Sequence, residues 1–400
     1  MHHSGTADLP LYSGSVPPWL AERMSRLGVA IAEAIIQEEG PTGFLARLAD
    51  PFWFQSFGVV LGMDWNSSGV TTAVMGALKR GLDPRAHELS LFVCGGKGKH
   101  SLQTPAELLR VAERTGLDGT ALARASRLSA KVDNTAVQDG FQLYLHSFVV
   151  ARSGEWAVVQ QGMRGQSASA RRYHWHSPGL TSFVEDPHAG ICGEPQGQIL
   201  NLVDKQAQPA QAAIVQLTAE EPARLLREIR YMKLPRHHEV RAADVDLKRL
   251  GAVLYLAQEQ VPTAFEDVLL LPGLGPRTLQ SLALVSEVIH GTPARFTDPA
   301  RFSFAHGGKG GRPFTVPTHV YDQTIAALQT SVEHAKMDNS DKQEALKKLH
   351  RLAEHTEQDF TPNDNFEQVL QKERGDSWKY GGRTSTGHIK PPETGQLNLF

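Results

Sequence analysis

A strand–turn–strand pattern near the middle of the chain limits the fold more than any other feature of the sequence. Residues 141–150 and 156–159 are two short runs rich in aromatic and β-branched side chains, and Ser153 and Gly154 stand between them. Runs of this kind, separated by residues that favour turns, are typical of paired strands. We therefore expect a β-hairpin at the centre of a small α+β unit that ends near residue 205.

The sequence on both sides of this hairpin has helical spacing. Leu20, Met24 and Leu27 recur at intervals that place them on one helix face, and the segments 218–291 and 320–357 also favour helix. The fold class that follows is α+β and predominantly helical. The predicted divisions are a mainly helical N-terminal domain at 1–130, an α+β module at 131–205, a helical domain at 206–357, a flexible linker at 358–395 and a terminal peptide at 396–400.

Composition excludes several classes of protein. Of the 400 residues, 40% are hydrophobic and 21% are charged, which is ordinary for a globular protein. The formal net charge of −2 excludes a uniformly basic nucleic-acid binder, so any DNA contact must come from local basic patches. Cys94 and Cys192 form no CxxC pair, which suits a reducing cytosol and disfavours a disulfide framework or a zinc site.

The sequence also lacks the signals of export and membrane insertion. No basic stretch followed by an apolar run opens the chain, and no window approaches about 18 uninterrupted apolar residues. We therefore expect a cytoplasmic protein without a membrane partner.

A turn rich in proline and glycine, between two predicted helices, has the character of an anion-binding site. Gly273 and Gly275 permit a tight turn, and Pro276 fits the first position of the second helix. Main-chain amides at a helix N-terminus bind anions, and Arg277 adds a full charge. The segment resembles the helix-hairpin-helix motif of many repair enzymes, which holds the duplex backbone without reading sequence. The alternative is an ordinary helical corner. The residues that we assign to DNA are Gly273, Leu274, Gly275, Arg277 and Thr278.

Two Gly-Gly-Lys-Gly loops, at Lys97 and Lys309, provide further candidate phosphate contacts. Neither loop has the spacing of a nucleotide-binding P-loop, so we expect no nucleotide cofactor. The loops either line the DNA path or are simple turns. Basic residues between 224 and 249, diluted by acidic ones, could extend the same footprint.

The last five residues place large apolar side chains at the end of a polar tail. Burial of each is worth roughly 1.5–3 kcal/mol, so they are costly to leave in water. The peptide is similar to the motif that binds the bacterial sliding clamp. That resemblance implies that Leu399 and Phe400 fill the main apolar pocket, that Leu397 assists and that Gln396 forms a hydrogen bond. The preceding linker would act as a tether. The alternative is a tail that folds back onto the body.

Polar groups crowd the segment 131–191. Carboxylates and histidines can hold Mg²⁺ or Mn²⁺ beside a phosphodiester, and arginines can stabilise the charge that develops on it. The candidate catalytic residues are Asp133, Asp139, Gln161, Arg172, His174, Glu185, Asp186 and His188, with Asp139, Glu185 and Asp186 as candidate metal ligands. The strands faintly resemble the carboxylate-and-lysine nuclease cores, but Gln160-Gln161-Gly162 replaces the expected Glu-x-Lys triplet. A structural role, or a DNA-contact surface at 171–176, is an alternative.

Four segments, at 5–11, 64–72, 158–163 and 170–175, resemble a bacterial and archaeal family catalogued as domain of unknown function 763. The resemblance extends over most of the chain, to about residue 360. It implies a family but no particular activity.

Together these features predict a DNA repair or replication protein that is associated with the nucleoid and tethered to the sliding clamp. The leading hypothesis is a metal-dependent, structure-specific nuclease. The alternative is a non-catalytic DNA-binding adaptor that links the clamp to a repair partner, and an RNA-processing enzyme is disfavoured by the clamp-like tail.

Overall fold

A five-stranded antiparallel sheet with strand order β1-β2-β3-β4-β5 forms the centre of the fold. The computed structural model describes residues 18–63, 69–164, 169–193, 196–229, 247–300 and 318–358, together with the backbone of 383–384 and 387–388. The strands are β1 (Leu91–Lys97), β2 (Gln142–Ala151), β3 (Trp156–Met163), β4 (Ala170–His176) and β5 (Gly190–Cys192). The predicted hairpin is confirmed, since β2 pairs with β3 and Val150 lies opposite Trp156.

One strand comes from the segment predicted to be mainly helical. β1 pairs with β2, so the sheet joins sequence on both sides of residue 130. The glycines of β1 weaken the strand pattern in its sequence. Gly95 has a φ of 86°, and a Cβ there would lie 2.3 Å from both the His146 carbonyl oxygen and the Thr104 hydroxyl. Only glycine allows the next helix to approach the strand this closely.

Helices cover both faces of the sheet. On one face lie α1 (Pro18–Ala49), α2 (Pro51–Val60), α3 (Gly69–Leu82), α4 (Ala86–Leu89), α12 (Thr318–His334) and α13 (Asn339–Gln358). On the other face lie α5 (Lys99–Thr115), α6 (Gly119–Lys131), α7 (Gln208–Ala219), α8 (Pro222–Ile229), α9 (Leu247–Gln260), α10 (Phe265–Leu269) and α11 (Pro276–His290). The fold is therefore α+β and predominantly helical, as the sequence predicts.

Side-chain alternation along the strands divides the core into two. Phe148, Val150 and Val158 face the layer that contains α5 to α11, whereas Val149 and Val159 face the layer that contains α1 to α3. Successive residues of a strand point to opposite faces. The same rule decides which polar side chains of β2, β3 and β4 can meet.

The segment 320–357 is helical, as predicted, and it forms two helices. α12 ends at His334 and α13 begins at Asn339. The Asp338 carbonyl oxygen accepts hydrogen bonds from the N–H groups of Asp341 and Lys342, at 3.0 and 3.1 Å. Polar residues around 338–341 favour a new helix start over continuation.

Two further segments are described only in part. Strands β6 (Arg383–Thr384) and β7 (Gly387–His388) form a two-residue antiparallel ladder within the segment predicted as a linker.

Among the helices that the structure describes, none combines the length and the apolar character needed to span a bilayer.

Candidate functional site

The turn between α10 and α11 has the tight geometry that its glycines predict. Gly273 has a φ of 78°, a left-handed conformation that glycine adopts without strain. Leu274 is buried in the hydrophobic core and anchors the turn. Gly275 is in extended conformation and precedes Pro276 at the first position of α11.

The N-terminus of α11 offers free main-chain donors. The first helical hydrogen bond runs from the N–H of Leu279 to the Gly275 carbonyl, at 3.0 Å, and no side chain caps the helix. Among the described residues, none accepts a hydrogen bond from the N–H groups of Gly275, Arg277 or Thr278. These donors lie at the positive end of a 15-residue helix. Arg277 is exposed beside them, whereas the Thr278 side chain is buried.

Cations from two other helices hold this turn. The Lys131 ammonium donates to the Leu274 carbonyl at 2.7 Å, and Arg249 donates to the Gly273 carbonyl at 3.4 Å. Burial, together with the charge of Arg249, lowers the pKa of Lys131.

A groove of about 500 Å³ runs beside the turn. Leu274, Gly275 and Pro276 form part of its wall, and α6 contributes Arg127 and Lys131. Among the described residues that line the groove, none is a carboxylate. Its other lining residues are Ser101, Leu102, Pro105, Ser126, Ala130, Asn134, Thr135, Leu143, His146 and Leu270. The groove therefore combines excess positive charge with the free amide of Gly275, which suits an anionic ligand.

The second candidate phosphate contact, Lys97, is exposed at the end of β1. It pairs with Leu145, which adjoins the groove residue His146, but it does not itself line the groove.

The candidate catalytic residues separate onto the two faces of the sheet. Asp133, two residues after α6, accepts from the side chains of Gln160 at 2.6 Å, Trp175 at 2.9 Å and His188 at 2.5 Å. Asp133 is fully buried, and burial raises the pKa of its carboxyl against the opposing effect of His188. All three donors are packed in protein, so this carboxylate is a structural acceptor within the core.

Asp139 lies in a separate ion cluster on the same face. Its carboxylate accepts from Arg171 at 3.1 Å and from the Tyr173 hydroxyl at 2.7 Å. Arg171 also makes a two-pronged ion pair with Asp298, at 2.9 and 2.8 Å. Both partners in the Asp139–Arg171 pair are fully buried. Asp298 was not among the candidates because it is more than a hundred residues distant in sequence.

Gln161, Arg172 and His174 point to the opposite face. Arg172 donates to Gln55 of α2 at 2.8 Å, and the ring of His174 contacts the Leu48 carbonyl at 2.9 Å. Burial lowers the pKa of Arg172 and lowers that of His174 well below its usual value. Alternation along β4 places Arg172 and His174 on the face opposite Arg171 and Tyr173, the two partners of Asp139.

Glu185 and Asp186 occupy the loop between β4 and β5. Asp186 is exposed, has a φ of 45° and donates its N–H to the Val203 carbonyl at 2.7 Å. No group of three or more potential metal ligands occurs among the described side chains. Asp139, Glu185 and Asp186 therefore do not fit a shared Mg²⁺ or Mn²⁺ site, and Asp139 already neutralises Arg171.

Several predicted contacts lie outside the described residues. These are Lys309, the basic residues between 230 and 246, and the terminal residues Gln396, Leu397, Leu399 and Phe400. The groove residues Arg127, Lys131, Ser126 and His146 were missed by sequence reasoning, because only the folded chain brings them to the turn.

A family model described as "Protein of unknown function (DUF763)" matches residues 5–316. The chain therefore belongs to this family, as the four segments predict. No curated protein and no solved structure matches the chain.

Proposed function

We propose that this protein binds the DNA backbone at the groove beside the α10–α11 turn and docks on the bacterial sliding clamp through its last five residues. The observation that carries the DNA proposal is the N-terminus of α11, where the amides of Gly275, Arg277 and Thr278 are uncapped. Gly275 lines a groove whose described lining residues include two cations and no carboxylate. Amides at a helix start, with the helix dipole behind them, bind phosphate oxygens.

The geometry of the turn agrees with the helix-hairpin-helix resemblance in its two glycines. Gly273 supplies the left-handed turn, while Gly275 leaves space in front of the amides, since a Cβ there would meet only Arg249, at 3.5 Å. A phosphate can approach the main chain closely only where no side chain intervenes. Contacts of this type fix position on a duplex and do not read base sequence.

The adaptor hypothesis fits the described residues better than the metal-dependent nuclease. The nuclease requires carboxylates that converge on a metal, but Asp139 is engaged with Arg171, and the candidate residues divide between two faces of the sheet. An adaptor requires only a DNA contact and a partner contact, which the groove and the terminal peptide would provide. The clamp-like tail supports DNA over RNA as the ligand and supports association with the nucleoid.

Substitution of Gly275 by Val tests the DNA contact. The extended backbone of Gly275 accommodates a β-branched residue, but the side chain would shield the amides. We expect duplex affinity, measured by fluorescence anisotropy, to fall about tenfold or more, equivalent to about 1.4 kcal/mol. The loss should be the same for different duplex sequences.

Gly76→Val is the matched control, because Gly76 is exposed on α3 and a Cβ there meets no atom within 4 Å. Equal affinity of the Gly275 and Gly76 variants, or a loss confined to particular duplex sequences, would contradict the proposal.

Deletion of residues 396–400 tests the clamp contact. We expect this deletion to abolish binding to purified sliding clamp and to leave duplex affinity nearly unchanged, because the peptide and the groove act on separate partners. Undiminished clamp binding by the shortened chain would refute the docking role.

A further inference from the structure

A serine, a histidine and a glutamine form a connected chain at the floor of the groove. The Ser126 hydroxyl lies 2.8 Å from His146 Nε2, and His146 Nδ1 lies 2.8 Å from Gln160 Oε1. Ser126 comes from α6, His146 from β2 and Gln160 from β3, so the tertiary fold assembles the set. Such an order of hydroxyl, imidazole and orienting acceptor is that of an activated nucleophile.

Buried neighbours fix the direction of every hydrogen bond in this chain. The Gln160 amide nitrogen faces the Ser129 carbonyl at 3.2 Å and the Asp133 carboxylate at 2.6 Å, which are both acceptors. A carbonyl oxygen can only accept, so the Gln160 atom that faces Ser129 must be the amide nitrogen. Gln160 therefore turns its oxygen toward His146.

The orientation of Gln160 sets the tautomer of the histidine. His146 must donate from Nδ1 to the Gln160 oxygen, which leaves the Nε2 lone pair to accept the Ser126 proton. Burial lowers the pKa of His146 to about 4, so the ring is neutral at physiological pH. A neutral imidazole whose free lone pair faces a hydroxyl is ready to act as a general base.

The position of the chain connects it with the proposed ligand. Ser126 and His146 line the same groove as Arg127, Lys131 and Gly275. A phosphate held by the Gly275 amide and the cations of the groove would therefore lie in the cavity that Ser126 and His146 line. The volume of the groove is within the range of small-molecule sites, about 300–1,000 Å³.

We propose that Ser126 is a nucleophile for phosphodiesters, with His146 as its base and Gln160 as the positioning residue. The proposal rests on the proposed function for its substrate, nucleic-acid backbone, and goes beyond the adaptor role by adding a reaction. It uses none of the carboxylates that the sequence suggested as metal ligands.

The reaction has two displacements at phosphorus. In the first, the Ser126 oxygen forms a bond to phosphorus as its proton passes to His146, and the bond from phosphorus to the leaving sugar oxygen breaks as that oxygen takes a proton from the Lys131 ammonium. In the second, water adds to phosphorus and gives a proton to the Lys131 amine. The bond from phosphorus to the serine oxygen then breaks, and His146 returns the proton to Ser126. The net change is hydrolysis of one phosphodiester by one water.

Bis(4-nitrophenyl) phosphate tests the chemistry in the full-length protein without requiring a duplex. We expect release of 4-nitrophenolate, and we expect mass spectrometry of the quenched reaction to find a phosphoryl adduct on the peptide that contains Ser126. Ser126→Ala should reduce turnover by about 100-fold or more and remove the adduct. His146→Ala should lower turnover by about 10²–10⁴-fold, with partial recovery on addition of imidazole, a recovery that a merely structural histidine would not show.

Ser331→Ala is the matched control, because Ser331 is also a buried serine within a helix but lies on α12, away from the groove. Its turnover should equal that of the unmodified protein. If Ser126→Ala does not fold, the presence or absence of the phosphoryl adduct on Ser126 of the unmodified protein tests the proposal.

Turnover that persists in a folded Ser126→Ala variant would overturn the proposal, as would absence of both turnover and adduct with or without Mg²⁺ or Mn²⁺. Cleavage of 4-nitrophenyl acetate through an acyl-Ser126, without any phosphodiester cleavage, would overturn the substrate class. Duplex binding, measured by anisotropy on the same samples, reports separately on the proposed function.

Discussion

The groove beside the α10–α11 turn and the buried cluster around Arg171 contain similar residue types with opposite balances of charge. In the cluster, Arg171 lies between the carboxylates of Asp139 and Asp298, and all three side chains are at most 5% exposed. In the groove, Arg127 and Lys131 are lining cations, and no carboxylate occurs among the described lining residues. A buried charge must be paired to be tolerated, whereas unbalanced charge persists only where solvent or a ligand can reach it. We therefore expect the cluster to serve structural stability and the groove to serve ligand binding.

Substitution of an arginine by methionine in each region should separate these roles most strongly. Arg171→Met leaves two buried carboxylates without their cation, and we expect the free energy of unfolding in urea to fall by about 3–5 kcal/mol. Arg127→Met removes an exposed charge and should change it by less than about 0.5 kcal/mol. Similar losses of stability in both variants would contradict the assignment of a structural role to Arg171 and not to Arg127.

The pH dependence of stability should show whether His146, which lines the groove, is neutral in the folded protein. Because the pKa of His146 is lowered to about 4 in the fold, the unfolded chain binds its proton first as the pH falls. The free energy of unfolding should therefore decrease between about pH 6.5 and pH 4, by about 3 kcal/mol from this residue.

His146→Gln should remove this contribution to the decrease in the free energy of unfolding at low pH. The contribution of other buried histidines, such as His174, should remain. Ser126 and Gln160 contact the ring of His146, while Arg127 and Lys131 line the same groove. An unchanged pH profile in the variant would mean that His146 is not held neutral by the fold.

The salt dependence of duplex binding should show the smallest effect. If Arg127 neutralises one phosphate, Arg127→Met should lower the slope of log affinity against log salt concentration by about 1. Arg114→Met, at an exposed site on α5 outside the groove, is the control. An identical slope in both variants would remove Arg127 from the binding surface.

Local patterns in the sequence predicted the parts of the fold that depend on short-range chemistry. Turn residues and strand-forming runs located the β2–β3 hairpin, and Gly273 with Pro276 located the α10–α11 turn. In these cases the determining residues are neighbours in the chain, so a single sequence contains the necessary information.

Long-range packing explains what the sequence did not provide. Polar crowding at 131–191 suggested one site, but the sheet sends Arg171 and Arg172 to opposite faces, and Asp298 arrives from a distant segment. The alternation of side chains along β4 could have predicted that Arg171 and Arg172 point to opposite faces. The meeting of Ser126 with His146, and of Lys131 with the Leu274 carbonyl, depends on helix packing and has no local signature.

Hydrogen–deuterium exchange, with and without a saturating DNA duplex, tests most directly whether the turn binds the DNA backbone. Peptides that cover residues 270–280 should exchange more slowly with DNA bound, because phosphate oxygens accept hydrogen bonds from the amide N–H groups of Gly275, Arg277 and Thr278. Peptides that cover Arg171 in β4 should be unchanged. Bound duplex without slower exchange at 270–280 would contradict the account.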